Sequence, residues 1–222
     1  MSPANRIEQR LRALALARDC ALLGARIRTI HHLTGLPLKE LKLLLFADNV
    51  EPSRGRAPDT RDWYHVASLP HRVDASILVA TFERLRAQGF GAAEALVGAY
   101  RYYGALRGDA ARIGFDRGFD LAANTAGLWI TRTSCFRIRR CPKCHEFLDG
   151  LTVTGATTGA ACPICKLVER VPRDPRLAAA LPPLPAPANR AIPYTIAIEE
   201  PPGADPEIAA NEAPFPGAPP PH

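Results

Sequence analysis

The chain has 222 residues, of which 47% are hydrophobic, and it carries a formal net charge of +6. This length can bury a substantial core, which predicts a globular protein of one domain with an appendage or of two small domains. No stretch reaches the roughly 18 consecutive apolar residues of a membrane span, and the first residues have spread arginines instead of a clean apolar run. We therefore expect a cytoplasmic protein with no membrane partner.

The charge is unevenly distributed along the chain. Residues 172–222 hold three arginines against six acidic residues, a net charge of −3, which leaves +9 on residues 1–171. A body this basic suggests a polyanionic partner such as nucleic acid. An arginine-rich protein without such a partner is the alternative.

Between residues 5 and 130 the hydrophobic residues recur mostly at helical spacing. One of these helices is expected to begin at Asp74 as an N-cap and to stop at Gly89. The stripes predicted to face the core are Ile7, Leu11 and Leu14, continuing through Leu22, Leu23, Ile27 and Ile30; Ile77, Leu78, Phe82 and Leu85; Leu96, Ala99, Tyr103 and Leu106; and Phe115, Phe119, Ala122, Ala126 and Ile130.

Residues 25–48 have the layout of a helix-turn-helix. Gly35 suits the positive torsion of a short turn, and Pro37 suits the first turn of the next helix. In such a motif the second helix would present Lys39 and Lys42 to a DNA major groove. An ordinary helical hairpin produces the same pattern, so the motif alone leaves both interpretations open.

The segment from Val50 to Arg72 interrupts the helical pattern with three prolines and a glycine. It predicts a long loop that Trp63 and Tyr64 hold against the body. A loop of this length in a small domain is typically functional or mobile.

Two Cys-x-x-Cys pairs, separated by 17 residues, have the spacing of a four-cysteine zinc site. The expected ligands are Cys141, Cys144, Cys162 and Cys165. Four protein thiolates leave no open position for water or substrate, which indicates a structural site. The residues between the pairs, with Val153, Thr154 and Thr157, predict a hairpin that brings the second turn beside the first.

The cysteines are compatible with other kinds of site. Disulfides are disfavoured in a reducing cytoplasm, and a redox pair would need a single Cys-x-x-Cys motif. Iron would use similar ligands, so the identity of the metal stays open. His145 could replace one cysteine, whereas Cys20 and Cys135 lie outside the pattern and are expected to be bystander thiols.

Basic residues surround the cysteine pairs and continue on the other side of them, at Lys166, Arg170 and Arg173. Cations on rigid turns suit phosphates, although they can also serve only to solvate a small metal module. The candidate DNA-contacting residues are Arg28, Lys39, Lys42, Arg137, Arg139, Arg140 and Lys143.

Motifs of enzymes are missing from the sequence: it contains no glycine-rich phosphate loop, no G-x-S-x-G and no H-E-x-x-H. We therefore do not expect an enzyme. A DNA-processing enzyme that uses Tyr100 as a nucleophile is a distant alternative.

The segment 172–222 contains 15 of the 22 prolines of the chain. Each proline removes a backbone donor and fixes a torsion, so helix and central strand are not expected there. We predict three parts: a helical domain over 1–132, a zinc-binding module over 133–171, and a flexible proline- and alanine-rich tail over 172–222.

Taken together, these features resemble the FlhC family, the C subunit of the bacterial flagellar master activator. The resemblance covers roughly residues 17–170 and rests on four pieces: the LLGAR run at Leu22–Arg26, Asp62-Trp63, the tyrosine-rich stretch at Ala99–Tyr102, and Cys141, Cys144, Cys162 and Cys165. The tail is longer and richer in proline than is usual in that family, which fits a divergent paralogue.

The resemblance implies a mainly α-helical fold with a helix-turn-helix-like N-terminal part, a zinc ribbon-like module and one zinc ion per chain. It also implies a transcriptional activator subunit that joins an FlhD-type subunit in a heterohexamer, binds double-stranded DNA at flagellar class II promoters and recruits RNA polymerase. The alternative from another class is a zinc-stabilised adaptor that binds only protein.

Overall fold

The computed structural model describes residues 3–45, 63–151, 155 and 158–179, and this part of the chain is mainly helical. A two-stranded antiparallel sheet, β1–β2, follows the seventh helix. The elements in chain order are α1 (Pro3–Leu22), α2 (Ile27–Thr34), α3 (Leu38–Leu45), α4 (Trp63–Val66), α5 (Leu69–Ala87), α6 (Ala92–Arg107), α7 (Phe115–Ala126), β1 (Phe136–Arg140), β2 (Glu146–Gly150), α8 (Pro163–Arg170) and α9 (Pro175–Ala179). Short 3-10 turns occupy Gly108–Ala110 and Val171–Arg173.

Helix α5 lies at the centre of the fold and contacts α6, α7, α8 and both strands. Its Leu78 and Phe82 are fully buried, as are Leu96 and Tyr103 of α6. Phe136 and Leu148 from the two strands belong to the same hydrophobic core. The sheet is therefore fixed to the helical body by apolar burial, which is the main favourable contribution to folding. None of the described helices is long and apolar enough to cross a membrane.

The predicted start of a helix at Asp74 is wrong. Helix α5 begins five residues earlier, at Leu69, and Asp74 lies buried inside it. The carboxylate pairs with Arg107 at 3.1 Å and with Arg112 at 3.5 Å, and it accepts a hydrogen bond from the Tyr103 hydroxyl at 3.0 Å. These partners are 29 to 38 residues away in sequence, so a local capping rule could not identify the role of this aspartate.

Several residues of the predicted core stripes are exposed. Ile7, Leu11 and Leu22 are exposed on α1, because its buried face runs through Ala17 and Cys20. Ile130 is exposed because α7 ends at Ala126, where Gly127 takes a left-handed conformation with φ of 67°. Leu106 is exposed beside a groove that is described below.

Part of the predicted loop from Val50 to Arg72 is helical. Residues 63–66 form α4, and α5 starts at Leu69 with Pro70 in its first turn. Tyr64 is buried, as expected of an anchor, and Trp63 contacts the guanidinium of Arg117 at 4.6 Å. Residues 46–62, which include the rest of this loop and the last positions of the predicted helix-turn-helix, lie outside the described residues.

The sheet is positioned by two polar contacts with helices. The Tyr64 hydroxyl donates to the carbonyl of Leu148, and the N–H of Leu148 donates to the Ser76 hydroxyl at 3.1 Å. The imidazole of His65 lies over Gly150, in the space that a side chain at this position would occupy. These contacts join α4 and α5 to the strand that follows the first cysteine pair.

The first residues of the predicted tail are helical, although no helix was expected there. Residues 171–173 form a 3-10 turn, and Pro175–Ala179 form α9. The Asp174 carboxylate accepts hydrogen bonds from the N–H groups of Arg176 at 3.0 Å and Leu177 at 3.4 Å. Proline is tolerated at the first helical position, so a proline-rich segment can still start a helix here. Residues 180–222 lie outside the described residues.

Candidate metal centre and cationic surfaces

The four cysteines of the two Cys-x-x-Cys pairs converge on one point. Their Sγ atoms, from Cys141, Cys144, Cys162 and Cys165, all lie within 4.8 Å of one another. The Sγ atoms of Cys141 and Cys165 are 3.7 Å apart, and those of Cys144 and Cys162 are 3.4 Å apart. A tetrahedral ion with metal–sulfur bonds of about 2.3 Å places its sulfurs about 3.8 Å apart, so these residues fit such an ion. The separations are far too long for disulfides.

Two different local structures present the sulfurs. The first pair forms the tip of the β1–β2 hairpin, where the N–H of Cys141 donates to the carbonyl of His145 at 3.0 Å. The second pair lies at the start of α8, with Cys162 as the N-cap and Pro163 in the first turn. The predicted hairpin between the two pairs is therefore placed differently: β1 precedes the first pair, and the second pair belongs to a helix. The predicted strand residues Val153, Thr154 and Thr157 lie outside the described residues.

Backbone amides support the first sulfur of each turn. The N–H of Lys143, and less strongly that of Cys144, lowers the pKa of the Cys141 thiol to about 7. Burial is the main cause that raises the pKa of Cys162. Hydrogen bonds from the backbone N–H groups of Cys165 and Ile164 act in the opposite direction and lower it. A hydrogen bond to Cys144 and burial raise the pKa of Cys165 to about 12. Cys162 and Cys165 thus ionise less readily than Cys141, and a bound cation would favour the thiolate form of each.

A small apolar cluster surrounds the sulfurs. Phe147 of β2 is buried against Cys141 and Cys162, and Ile164 packs beside them. The next residue, Leu148, points to the main core, because successive side chains of a strand lie on opposite faces. Strand β2 therefore lies between the two clusters, which explains why four consecutive residues, 147–150, are all buried.

The basic residues predicted in the N-terminal part lie on the α2–α3 hairpin, residues 27–45. Arg28, Lys39 and Lys42 are exposed there, and the turn between the helices has Gly35 at φ of 72°, as predicted. Helix α3 also exposes Leu43 by 71% and Leu44 by 54%. Its outer face is therefore both cationic and apolar.

The remaining basic candidates belong to the metal module, residues 136–173. Arg137, Arg140 and Lys143 are exposed, and Lys166, Arg170 and Arg173 on the far side of the cysteines are exposed as well. Within the described part of the chain, none of these six side chains forms an ion pair. Helices α2 and α3 mainly contact α1 and each other, whereas the module rests on α5 and α7. The candidates thus form two separately supported surfaces.

Arg139 differs from the other candidates because it has an internal partner. Its guanidinium donates to the Asp149 carboxylate at 2.8 Å and lies over the Phe147 ring at 5.5 Å. Asp149 is fully buried and also accepts a hydrogen bond from the Thr158 hydroxyl at 2.6 Å. Arg139 therefore stabilises the hairpin next to the cysteines, and Asp149 is a supporting residue that the sequence analysis did not identify.

The α2–α3 hairpin is held by a second acidic residue, Asp116, which the sequence pattern did not reveal. Asp116 of α7 accepts hydrogen bonds from the N–H of Arg26 at 3.0 Å and from the Thr29 hydroxyl at 2.5 Å. It also pairs with the Arg26 guanidinium at 3.4 Å. A carboxylate at this position satisfies free donors at the N-terminus of α2 and interacts favourably with the helix dipole. The partners are about 90 residues apart, so no local signal could have revealed them.

The other thiols and Tyr100 are buried or partly buried. Cys20 is fully buried, and this burial raises the pKa of its thiol to about 12. Cys135 lies outside the metal-binding group. The Tyr100 hydroxyl donates to the carbonyl of Ile113 at 3.1 Å, and burial raises the pKa of Tyr100. These surroundings favour a packing role for Tyr100 over that of an ionised nucleophile.

Comparisons with protein-family models and with the curated proteins give no match to this chain. The functional interpretation therefore depends on the residues and on the geometry described above.

Proposed function

We propose that the chain is a zinc-containing, DNA-binding subunit of a transcriptional activator of the FlhC type. The observation that carries this proposal is the convergence of four thiolates beside an array of exposed cations. Arg137 and Arg140 precede the first cysteine pair, Lys143 lies within it, and Lys166 follows the second. A tetrahedral ion would fix these cations relative to one another, and fixed cations suit the regular spacing of phosphates.

Zinc is the metal we propose, at one ion per chain, because four thiolates at these distances match its preferred tetrahedral sulfur site. The filled ligand set assigns it a structural role. Its contribution would be to hold the β1–β2 tip against the start of α8. Iron bound by the same four cysteines is the competing assignment, and elemental analysis separates the two.

The resemblance to FlhC supplies the proposed biological setting. The partners would be an FlhD-type subunit in a heterohexamer, promoter DNA of flagellar class II genes, and RNA polymerase. The metal module would provide most of the sequence-independent affinity, because its exposed cations have no acidic partners among the described residues. Sequence reading would require further side chains that these observations do not assign.

The test is a titration of the complex, co-expressed with an FlhD-type partner, against its own upstream promoter DNA at several salt concentrations. Each phosphate contact adds about one unit to the slope of log affinity against log salt. We expect the double substitution of Arg137→Ala and Lys143→Ala to reduce this slope by about two and the double substitution of Lys39→Ala and Lys42→Ala to change it less. Affinity that depends on neither salt nor sequence would refute the proposal.

A zinc-stabilised adaptor without DNA binding is the second candidate function. The exposed Leu43 and Leu44 on α3 favour it, because adjacent exposed apolar side chains are typical of protein contacts. This candidate predicts that no DNA complex forms with or without the partner subunit. It also predicts that Leu43→Ala weakens partner binding, whereas the substitutions of the cations do not.

A further inference from the structure

A groove runs between α5 and α6 and ends at the metal module. It encloses a cavity of about 370 Å³. The floor is apolar and buried, whereas two wall residues one helical turn apart, Tyr102 and Leu106, are 54% and 52% exposed. The apolar lining consists of Val73, Ile77 and Ala80 from α5, Tyr102 and Leu106 from α6, and Ile164 from α8.

The end of the groove nearest the cysteines is polar. Arg84, His145 and Glu146 line both the groove and an adjoining basin of about 270 Å³, to which Arg140 also contributes. Arg84 contacts Glu146 at 3.6 Å, and both side chains are largely exposed. The Cys144 sulfur lines the same basin. Two guanidinium groups thus face one carboxylate and one sulfur, so the basin is rich in N–H donors.

We propose that this groove binds a segment of a partner protein that places an apolar side chain between α5 and α6 and a carboxylate against Arg84 and Arg140. The apolar cavity supplies the affinity of an anchor pocket, because burying a large side chain there removes apolar surface from water. The guanidinium groups favour a negatively charged residue next to the anchor of the partner, because arginine binds carboxylates with paired hydrogen bonds.

A peptide segment fits the groove better than a compact ligand for two reasons. Tyr102 and Leu106 lie at i and i+4 on α6, so the apolar wall extends along the helix axis. The polar basin continues in one direction from the apolar part, which matches an extended or helical segment with an apolar residue followed by an acidic one. Exposed apolar side chains beside a pocket are also typical of protein contact sites.

The groove depends on the proposed metal site, because Ile164 lies within the second cysteine pair and His145 follows the first. It does not depend on DNA binding. Metal content and DNA affinity are therefore measured on the same preparations, so that failure of the groove and failure of the proposed function can be separated.

The experiment uses the zinc-loaded full chain, labelled with ¹⁵N, and two acetylated, amidated pentapeptides. One peptide carries phenylalanine followed two residues later by glutamate, and the other carries lysine in place of the glutamate. We expect the glutamate peptide to shift the amide signals of residues 77–84, 102–106 and 145–146. We also expect it to bind about fivefold more tightly than the lysine peptide, the effect of an exposed charge pair.

Three variants test the assignment. Leu106→Ala should weaken both peptides, and Arg84→Glu should reverse the preference towards lysine. Leu22→Ala removes an exposed leucine of α1, outside the groove, and should change neither affinity. The proposal is overturned by shifts confined to other residues, by equal affinity for the two peptides, or by an unchanged preference in Arg84→Glu. Concentration-dependent shifts of the groove without peptide would indicate a second copy of the chain as its occupant and would also overturn it.

Discussion

The α2–α3 hairpin and the metal module both turn the chain sharply and both display basic side chains, but their turns are held in different ways. In the hairpin, Gly35 is left-handed and the His31 imidazole bonds to the carbonyl of Leu36 at 2.7 Å. Asp116 fixes the other end of α2. In the module, two turns from a sheet and a helix converge on four sulfurs, beside Phe147 and Ile164. The α2–α3 hairpin is therefore held by protein atoms alone, whereas the geometry of the metal module depends on the proposed ion.

This difference has a consequence for the two cationic surfaces. The positions of Lys39 and Lys42 should not change when metal is removed, whereas those of Lys143 and Lys166 should. Metal removal therefore separates the contributions of the two surfaces to any binding of a polyanion.

The largest effect is expected from Cys144→Ser. A structural metal site contributes on the order of 10 kcal/mol of binding free energy, and folding of the module depends on that binding. We expect less than 0.1 equivalent of zinc per chain by elemental analysis, against one equivalent in the unchanged protein. The circular dichroism of the helical body should persist in large part, because most residues of the main core belong to α1 to α7.

Cys135→Ser is the matched control for this substitution, because Cys135 lies outside the group of four sulfurs. It should retain the full zinc content and nearly the full thermal stability. A full equivalent of metal in Cys144→Ser would show that the cluster does not hold the ion in the way proposed.

A smaller but substantial loss of stability is expected from Arg139→Ala. The substitution leaves the fully buried Asp149 carboxylate with only the Thr158 hydroxyl as a side-chain partner. Removing one member of a buried ion pair costs about 3 kcal/mol or more. Urea denaturation of the zinc-loaded protein measures this loss.

Arg137→Ala on the same strand is the control for Arg139→Ala. Arg137 is exposed, so its substitution should change the free energy of unfolding by only about 0.5 kcal/mol. If the two variants were equally stable, the contact between Arg139 and Asp149 would contribute little to the free energy of unfolding. Arg139 would then be available to contact DNA.

The sequence predicted the features that depend on local chemistry. Each cysteine pair contains its own turn, so the cluster of four sulfurs could be predicted from spacing alone, and Gly35 identified the turn between α2 and α3. The helical stripes also identified most of the core. They failed at Ile7, Leu11 and Leu106, because apolar spacing does not reveal which side of a helix another element will cover.

The features that could not be predicted are the acidic residues that join distant segments. Asp74, Asp116 and Asp149 are ordinary aspartates in the sequence, but each is buried and has a basic side chain from another segment as its partner. Their roles are set by the packing of α5, α7 and β2, which the sequence pattern does not specify. For the same reason Arg139 could not be distinguished from Arg137 and Arg140 before the structure was known.

The smallest effect is expected from Asp116→Ala, which tests the claim that the α2–α3 hairpin is held by protein atoms alone. The substitution removes the acceptor for the Arg26 N–H and the Thr29 hydroxyl, together with the carboxylate that pairs with the Arg26 guanidinium. The loss should be about 2 kcal/mol, in the range of hydrogen bonds to a charged group. Asp116→Asn keeps an acceptor oxygen and should lose about half as much stability, and the exposed Asp109→Ala should lose almost none.

Because the hairpin does not depend on the ion, all three variants should keep one zinc per chain in elemental analysis. A loss of zinc in Asp116→Ala alone would mean that the hairpin and the metal module are coupled through α7. The structure of the hairpin would then not be independent of the metal.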